Sequence, residues 1–185
     1  MGPPDPEQRF EAVYMAHYAA VLSYVRRRTD SPDDAADAIA ETFATAWRRV
    51  ADIPDGDEAR LWLYGVARRV LANHRRGESR RTALATRLRA ELSAWAEDVP
   101  ATGRDVGAVR EAFRRLGDDD RELLSLVGWE GLTPAEAARV LGRSRGAVRV
   151  QLHRARKRLA KELDSAGLDV SRYGSRATAL VEERR

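Results

Sequence analysis

Basic side chains dominate the segment from Arg143 to Lys161, where eight Lys or Arg residues occur and no Asp or Glu. Lys and Arg bind phosphate oxygens, and Arg also donates two hydrogen bonds to the guanine edge in the major groove of DNA. At about 100° per residue, a helix here would carry an outer side composed of Gly146, Val150, His153, Arg154 and Lys157, with Arg149 and Gln151 on its flanks. The pattern predicts a nucleic-acid-binding helix; the alternative is a basic helix face that only meets solvent.

A helix-turn-helix would position this basic helix. Thr133, Pro134 and Glu136 form the capping box of a preceding helix, with proline at its first position. Gly142 suits a helix end that needs a positive φ, and Ser144 suits the cap of the basic helix. The inward positions of the basic helix are predicted to be Val148, Leu152, Ala155 and Leu159. Two short helices joined by a tight turn are typical of proteins that place the second helix in the major groove.

A second basic cluster lies between Arg68 and Arg81, where six Arg residues occur with one Glu. Trp62 and Tyr64 precede it. Aromatic side chains can stack on unpaired bases while Arg side chains contact phosphates. The alternative is that both aromatic residues belong to a hydrophobic core and the arginines face solvent.

Acidic residues recur on one side of a helix predicted to begin at Ser31-Pro32. They are Asp33, Asp34, Asp37 and Glu41. The first two lie where carboxylates stabilise a helix N-terminus. The sequence implies no His, Lys or nucleophile that converges on them, so they do not indicate a catalytic pair. The acidic side is predicted to be either a contact for a basic protein partner or a solvent face.

Helical periodicity recurs along nearly the whole chain, so the predicted fold class is all-α. Helices are predicted over 10–28, 31–50 and 58–76, with a further one over 82–97. The second helix is expected to bury Ala35, Ile39, Phe43, Ala46 and Trp47. The pattern predicts two small helical domains, 8–80 and 108–163, with a linker over 81–107 and a tail over 164–185.

Composition excludes several functional classes. The 185 residues include no cysteine, which removes disulfides, thiol-ligated zinc and cysteine nucleophiles. His17, His74 and His153 are scattered without partners at ligand spacing, so neither a metal nor a cofactor is expected. No apolar run is long enough to span a membrane, and the N-terminus does not read as a secretory signal. The expected compartment is the cytoplasm.

Three blocks of sequence resemble the small two-domain, extracytoplasmic-function group of bacterial RNA polymerase sigma factors. DDAADAIAETFATAWRRV (33–50) is similar to the region 2 helix that docks on the polymerase clamp. ARLWLYGVARRVLANHRR (59–76) is similar to the segment that melts and reads the −10 element. The block over 116–159, which contains GLTPAEAARVLGRSRGAVRVQLHRARKRL, is similar to region 4, whose helix-turn-helix reads the −35 element.

The resemblance implies roles for particular residues. Those implied at the −35 major groove are Arg145, Arg149, Val150, Gln151, His153 and Arg154. Those implied at the −10 strand are Trp62, Tyr64, Arg69, Asn73 and Arg76. Those implied at the polymerase are Asp37, Ala40 and Glu41. The expected partners are core RNA polymerase, promoter DNA and an anti-sigma factor, and the expected function is transcription initiation without enzymatic activity.

Three positions depart from the family pattern. Ala40 stands where many relatives carry Gln, which bears on the affinity for the clamp. Arg69 stands where relatives often carry Asn, which leaves the −10 sequence preference open. Val150 can offer only an apolar contact, which suits a thymine methyl group.

Two other functions fit the basic helix. One is a stand-alone helix-turn-helix regulator whose N-terminal domain senses a ligand or dimerises. Such a regulator would bind a palindromic site tightly without polymerase. The other is a helical RNA-binding protein.

Overall fold

The computed structural model describes residues 5–29, 31–92, 109 and 111–167, with the side chains of 77–92 outside the description. The chain divides into two compact units between residues 96 and 97. The described residues form helices and no strands, in agreement with the predicted all-α class. The helices are α1 (Pro6–Arg26), α2 (Pro32–Arg48), α3 (Asp57–Leu92), α4 (Asp118–Gly128), α5 (Pro134–Leu141) and α6 (Arg145–Ser165), and a 3₁₀ turn spans Val50–Asp52. Residues 111–114 are also helical.

The N-terminal unit is built from α1, α2 and α3, each of which packs against the other two. The start of α2 is specified locally, because the Ser31 hydroxyl accepts a hydrogen bond from the Asp34 amide at 3.0 Å. The shared core holds Val21, Tyr24, Val25, Ala35, Ala38, Ile39, Phe43, Ala46, Leu63, Tyr64, Val66, Ala67, Val70 and Leu71. Because these positions recur every three or four residues, each helix turns one apolar side inward.

A cluster of aromatic rings joins α1 to α2. It consists of Phe10, Tyr14, Tyr18, Phe43 and Trp47, with Phe43 at its centre. The expected burial of Trp47 is wrong, because its side chain is 43% exposed. Trp47 lies in the last turn of α2, where the Phe10 ring covers it at a centroid distance of 5.3 Å. A large indole at a helix end is therefore covered on part of its surface only.

Helix α3 is longer than the sequence pattern predicts. It runs for 36 residues without a break, past the expected end at Arg76 and past residue 80, where the first domain was expected to end. Gly77 disfavours a helix by only about 1 kcal/mol relative to alanine. The residues that follow it are mostly Arg, Ala, Leu and Glu, which are good helix formers, so the helix continues. The side chains of the further helix predicted over 82–97 lie outside the description.

The C-terminal unit packs α4, α5 and α6 around one core. Predicted caps are present at both ends of α5. The Thr133 amide donates to Glu136 Oε2 at 2.7 Å, the Glu136 amide donates to Thr133 Oγ1 at 3.3 Å, and Gly142 has a φ of +64°. The Ala147 amide donates to Ser144 Oγ at 3.2 Å and so caps α6. The turn between α5 and α6 is therefore fixed at both sides, which sets where the basic helix emerges.

Substituting Thr133 by alanine is expected to lower the free energy of unfolding of the C-terminal unit by about 1 kcal/mol, because the capping box loses its hydroxyl acceptor. Urea unfolding of the full chain would measure the change. Glu136→Gln is the matched control, since a glutamine preserves the box. Equal stabilities for Thr133→Ala and the wild type would contradict the assigned cap.

None of the described helices is long and apolar enough to cross a membrane.

Candidate nucleic-acid interface

The outer side of α6 is exposed as its spacing predicts. Arg145, Arg149, His153 and Arg154 are exposed, and Val150 is 53% exposed. The four predicted inward residues, Val148, Leu152, Ala155 and Leu159, are all buried. The core contacts of α6 therefore determine which of its side chains can reach a DNA groove.

Gln151 differs from the other candidates on α6 because it is half-buried and hydrogen-bonded at both ends of its amide. Arg143 Nη1 donates to Gln151 Oε1 at 2.6 Å, and Gln151 Nε2 donates to Asp120 Oδ1 at 3.4 Å. Asp120 lies in the first turn of α4, 31 residues away in sequence. Sequence patterns over a single helix cannot reveal such a contact, so Asp120 was not among the predicted site residues.

Four of the five side chains expected at the −10 strand share one face of α3. At about 100° per residue, Trp62, Arg69, Asn73 and Arg76 fall within a sector of about 60°. Arg69, Asn73 and Arg76 are exposed, whereas Trp62 is half-buried with the Arg49 guanidinium 5.6 Å from the centre of its ring. Arg76 Nη2 donates to Asn73 Oδ1 at 2.7 Å. The face combines an aromatic ring with cations and an amide.

Tyr64 does not belong to this face. Its side chain is 2% exposed, and its ring stacks on Tyr24 with centroids 4.9 Å apart. Tyr64 lies about 200° from Trp62 around the helix axis and therefore points into the core. The expectation that Tyr64 contacts an unpaired base is wrong for this structure, and the alternative interpretation, a core residue, holds for it.

The acidic side of α2 is exposed at Asp37, Ala40 and Glu41. Glu41 Oε2 lies 2.8 Å from Nε2 of His74 on α3. His74 follows Asn73 directly, so this contact joins the acidic side of α2 to the helix that carries the second basic cluster. The two residues are 33 positions apart, which is why sequence spacing did not indicate the pair.

The other histidines are not arranged for metal binding. Partial burial and the nearby Arg60 charge lower the pKa of His17, while Asp57 acts in the opposite direction. His153 is exposed on α6. In the part of the chain that the structure describes, no three His, Cys, Asp or Glu side chains converge on a common point.

Family comparisons match both units. The Sigma-70 region 2 model matches residues 13–81, and the Sigma-70 region 4 model matches residues 107–159. The RNA polymerase sigma-E factor of Streptomyces avermitilis is 30% identical over 177 residues, which cover 95% of this chain and 93% of that protein. The chain therefore belongs to the sigma-70 family of RNA polymerase sigma factors, in its extracytoplasmic-function (ECF) subfamily.

Two further relatives are named as ECF RNA polymerase sigma factors. SigF of Caulobacter vibrioides is 32% identical over 143 residues, covering 77% of this chain and 78% of SigF. BldN of Streptomyces coelicolor is 31% identical over 158 residues, covering 83% of this chain. The matched part spans 60% of the length of BldN, which is a longer protein.

Solved structures agree in fold. The sigma factor RpoE of Bartonella quintana, in complex with the anti-sigma factor NepR, gives a TM-score of 0.62 at 22% identity, covering 84% of this chain and 96% of that one. CnrH, in complex with the cytosolic domain of CnrY, gives a TM-score of 0.58 at 24% identity. The match covers 84% of this chain and 88% of CnrH. At these identities the likeness concerns the fold alone.

Proposed function

We propose that this protein binds core RNA polymerase, directs it to promoters with −35 and −10 elements, and helps to open the −10 region. The observation that carries the proposal is the pair of exposed basic faces, one on α3 and one on α6, in units that match sigma regions 2 and 4. The polymerase does the chemistry, and this chain supplies recognition. Its place of action would be the cytoplasm, where the polymerase transcribes.

The two faces have different tasks in this proposal. The outer side of α6 reads the −35 element through Arg145, Arg149, Val150, Gln151, His153 and Arg154. The α3 face holds the −10 strand through Trp62, Arg69, Asn73 and Arg76. The polymerase clamp binds the acidic side of α2 at Asp37, Ala40 and Glu41. Because the polymerase links both DNA contacts, each can be weak while the combined affinity is high.

An anti-sigma factor is the third proposed partner. One solved structure of similar fold is the complex of the sigma factor RpoE with the anti-sigma factor NepR. The stand-alone regulator is not favoured, because the N-terminal unit matches sigma region 2 rather than a sensing or dimerisation domain.

A run-off transcription assay with core polymerase tests the function. Templates would carry promoters selected from a random library by the reconstituted holoenzyme. We expect specific initiation only when this protein is added. Specific binding to a palindromic site without polymerase, together with failure to bind core polymerase, would instead establish the stand-alone regulator.

Replacing Arg149 by alanine is expected to relax discrimination at one −35 base pair by about 1–3 kcal/mol, because a bidentate contact to a base edge is lost. Competition binding of holoenzyme to single-base-pair promoter variants would measure it. Lys161→Ala is the matched control, since it removes the same charge from an exposed position of the same helix. If Arg149→Ala, like Lys161→Ala, lowered the affinity for every promoter variant by the same factor, Arg149 would contact only phosphate.

A further inference from the structure

We propose that Asp120 is a positioning residue for promoter recognition, which acts by fixing the side-chain amide of Gln151 together with Arg143. This inference rests on the proposed function, because it assigns Asp120 a part in reading the −35 element. Asp120 itself need not touch DNA. Its role is to hold Gln151 in one orientation before DNA arrives.

A chain of side-chain contacts carries the inference. Asp119 Oδ2 accepts from Arg143 Nη2 at 2.8 Å, and Arg143 Nη1 donates to Gln151 Oε1 at 2.6 Å. Gln151 Nε2 then donates to Asp120 Oδ1, and Asp120 Oδ2 accepts from Arg158 Nη1. The network ties the first turn of α4 to the turn before α6 and to α6 itself.

The two contacts of Gln151 select one orientation of its amide. A flipped amide would place its NH₂ group against the Arg143 donors and its carbonyl oxygen against the Asp120 carboxylate. Both encounters are unfavourable, so the carbonyl end faces Arg143 and the NH₂ end faces Asp120. The side chain is thus ordered before binding, which reduces the conformational entropy lost on contact with DNA.

Gln151 keeps the capacity to read a base. Each end of its amide uses one hydrogen bond within the protein, which leaves one lone pair on Oε1 and one N–H on Nε2. An acceptor and a donor from one amide are the pair that Gln presents to the N6 and N7 of adenine. Val150 beside it is exposed, so the amide lies at the edge of the proposed DNA surface.

The burial of Asp120 indicates that its carboxylate makes specific contacts within the protein and does not merely face solvent. Its side chain is 7% exposed, and an unpaired carboxylate at such a site would be strongly unfavourable. The Arg158 contact and the N-terminal turn of α4 compensate for the charge. The Arg158 side chain is 62% exposed, so solvent screens this ion pair and limits its contribution to stability.

Asp118 provides a matched control within the same acidic triplet. It also lies in the first turn of α4, but its side chain is 75% exposed and contacts Arg121. No contact joins it to Arg143 or Gln151 among the hydrogen bonds and ion pairs found in the described residues. Asp118→Asn therefore removes the same charge from the same helix end without touching the network.

The experiment compares −35 preferences of holoenzymes reconstituted from core polymerase and the full chain. Each holoenzyme selects from a promoter library with a randomised −35 region, and the bound DNA is sequenced. We expect Asp120→Asn to reduce discrimination at one or two adjacent base pairs by at least about fivefold, the lower end of the range for a bidentate base contact. Asp118→Asn should retain the wild-type preferences.

Two outcomes would overturn the inference. One is a reduced melting temperature with unchanged −35 preferences, which indicates a structural role. The other is an equal change in affinity for all sequences, which indicates a long-range charge effect. If Asp120→Asn does not fold, Arg143→Met replaces it: one or two adjacent base pairs must lose discrimination, and unchanged preferences overturn the inference. A wild-type holoenzyme with no −35 preference would refute the proposed function itself.

Discussion

Replacing Phe43 by alanine is expected to lower the free energy of unfolding of the N-terminal unit by about 3–5 kcal/mol. The Phe43 side chain is buried, and its ring contacts those of Phe10, Tyr14 and Tyr18 with centroids 6.5, 4.8 and 5.9 Å away. Truncation removes the buried ring and leaves a cavity between α1 and α2, which the surrounding rings fill only in part. Urea unfolding, monitored by circular dichroism, measures the loss in the free energy of unfolding.

Phe43→Leu and Trp47→Ala serve as controls for this result. Leucine preserves most of the apolar volume, so Phe43→Leu should cost much less. Trp47 belongs to the same cluster but is partly exposed, so its truncation should also cost less than that of Phe43. A loss for Phe43→Ala no greater than that for Trp47→Ala would show that Phe43 is not the centre of the cluster.

Reversing the charge of Glu41 is expected to weaken binding to core polymerase by several kcal/mol, because like charges at an interface are unfavourable to that degree. The reason is that Glu41→Lys would set a cation against the basic clamp surface that the proposed function requires. It would also set that cation beside His74, whose ring now contacts the carboxylate at 2.8 Å. Fluorescence anisotropy with labelled full-length chain would measure the affinity.

Two variants separate these effects. Glu11→Lys reverses a charge on an exposed position of α1, which is not part of the acidic side of α2, and should leave polymerase affinity nearly unchanged. His74→Ala removes the contact with Glu41 but keeps the carboxylate, so it too should retain most of the affinity. If Glu41→Lys bound core polymerase as tightly as the wild type, the acidic side would be only a solvent face.

The features that sequence predicted well are those encoded over a few neighbouring residues. The Ser31 cap and the Thr133–Glu136 box form because side chains hydrogen-bond to the backbone three residues away. Gly142 adopts a positive φ because it has no Cβ. The exposed side of α6 follows from helical spacing. These signals fix the helix-turn-helix and the all-α class before any tertiary contact is known.

The features that sequence did not predict depend on distant contacts. Asp120 meets Gln151, and Glu41 meets His74, only because separate helices pack together. Tyr64 is a polar aromatic residue whose placement is decided by stacking on Tyr24 rather than by its proximity to Trp62. The length of α3 depended on the balance between one glycine and many good helix formers. Local patterns do not determine any of these outcomes.

Under the proposed function, the contact between Glu41 and His74 would link polymerase binding and DNA strand binding thermodynamically. In that case a cation of the polymerase that engaged Glu41 would compete with His74, and the imidazole could then donate to another acceptor, such as a phosphate beside Asn73. Linkage is reciprocal, so a strand that draws His74 away must change the affinity of Glu41 for the polymerase by the same factor. The affinity for core polymerase, measured with and without the −10 strand, would give that coupling free energy, and His74→Ala should abolish it.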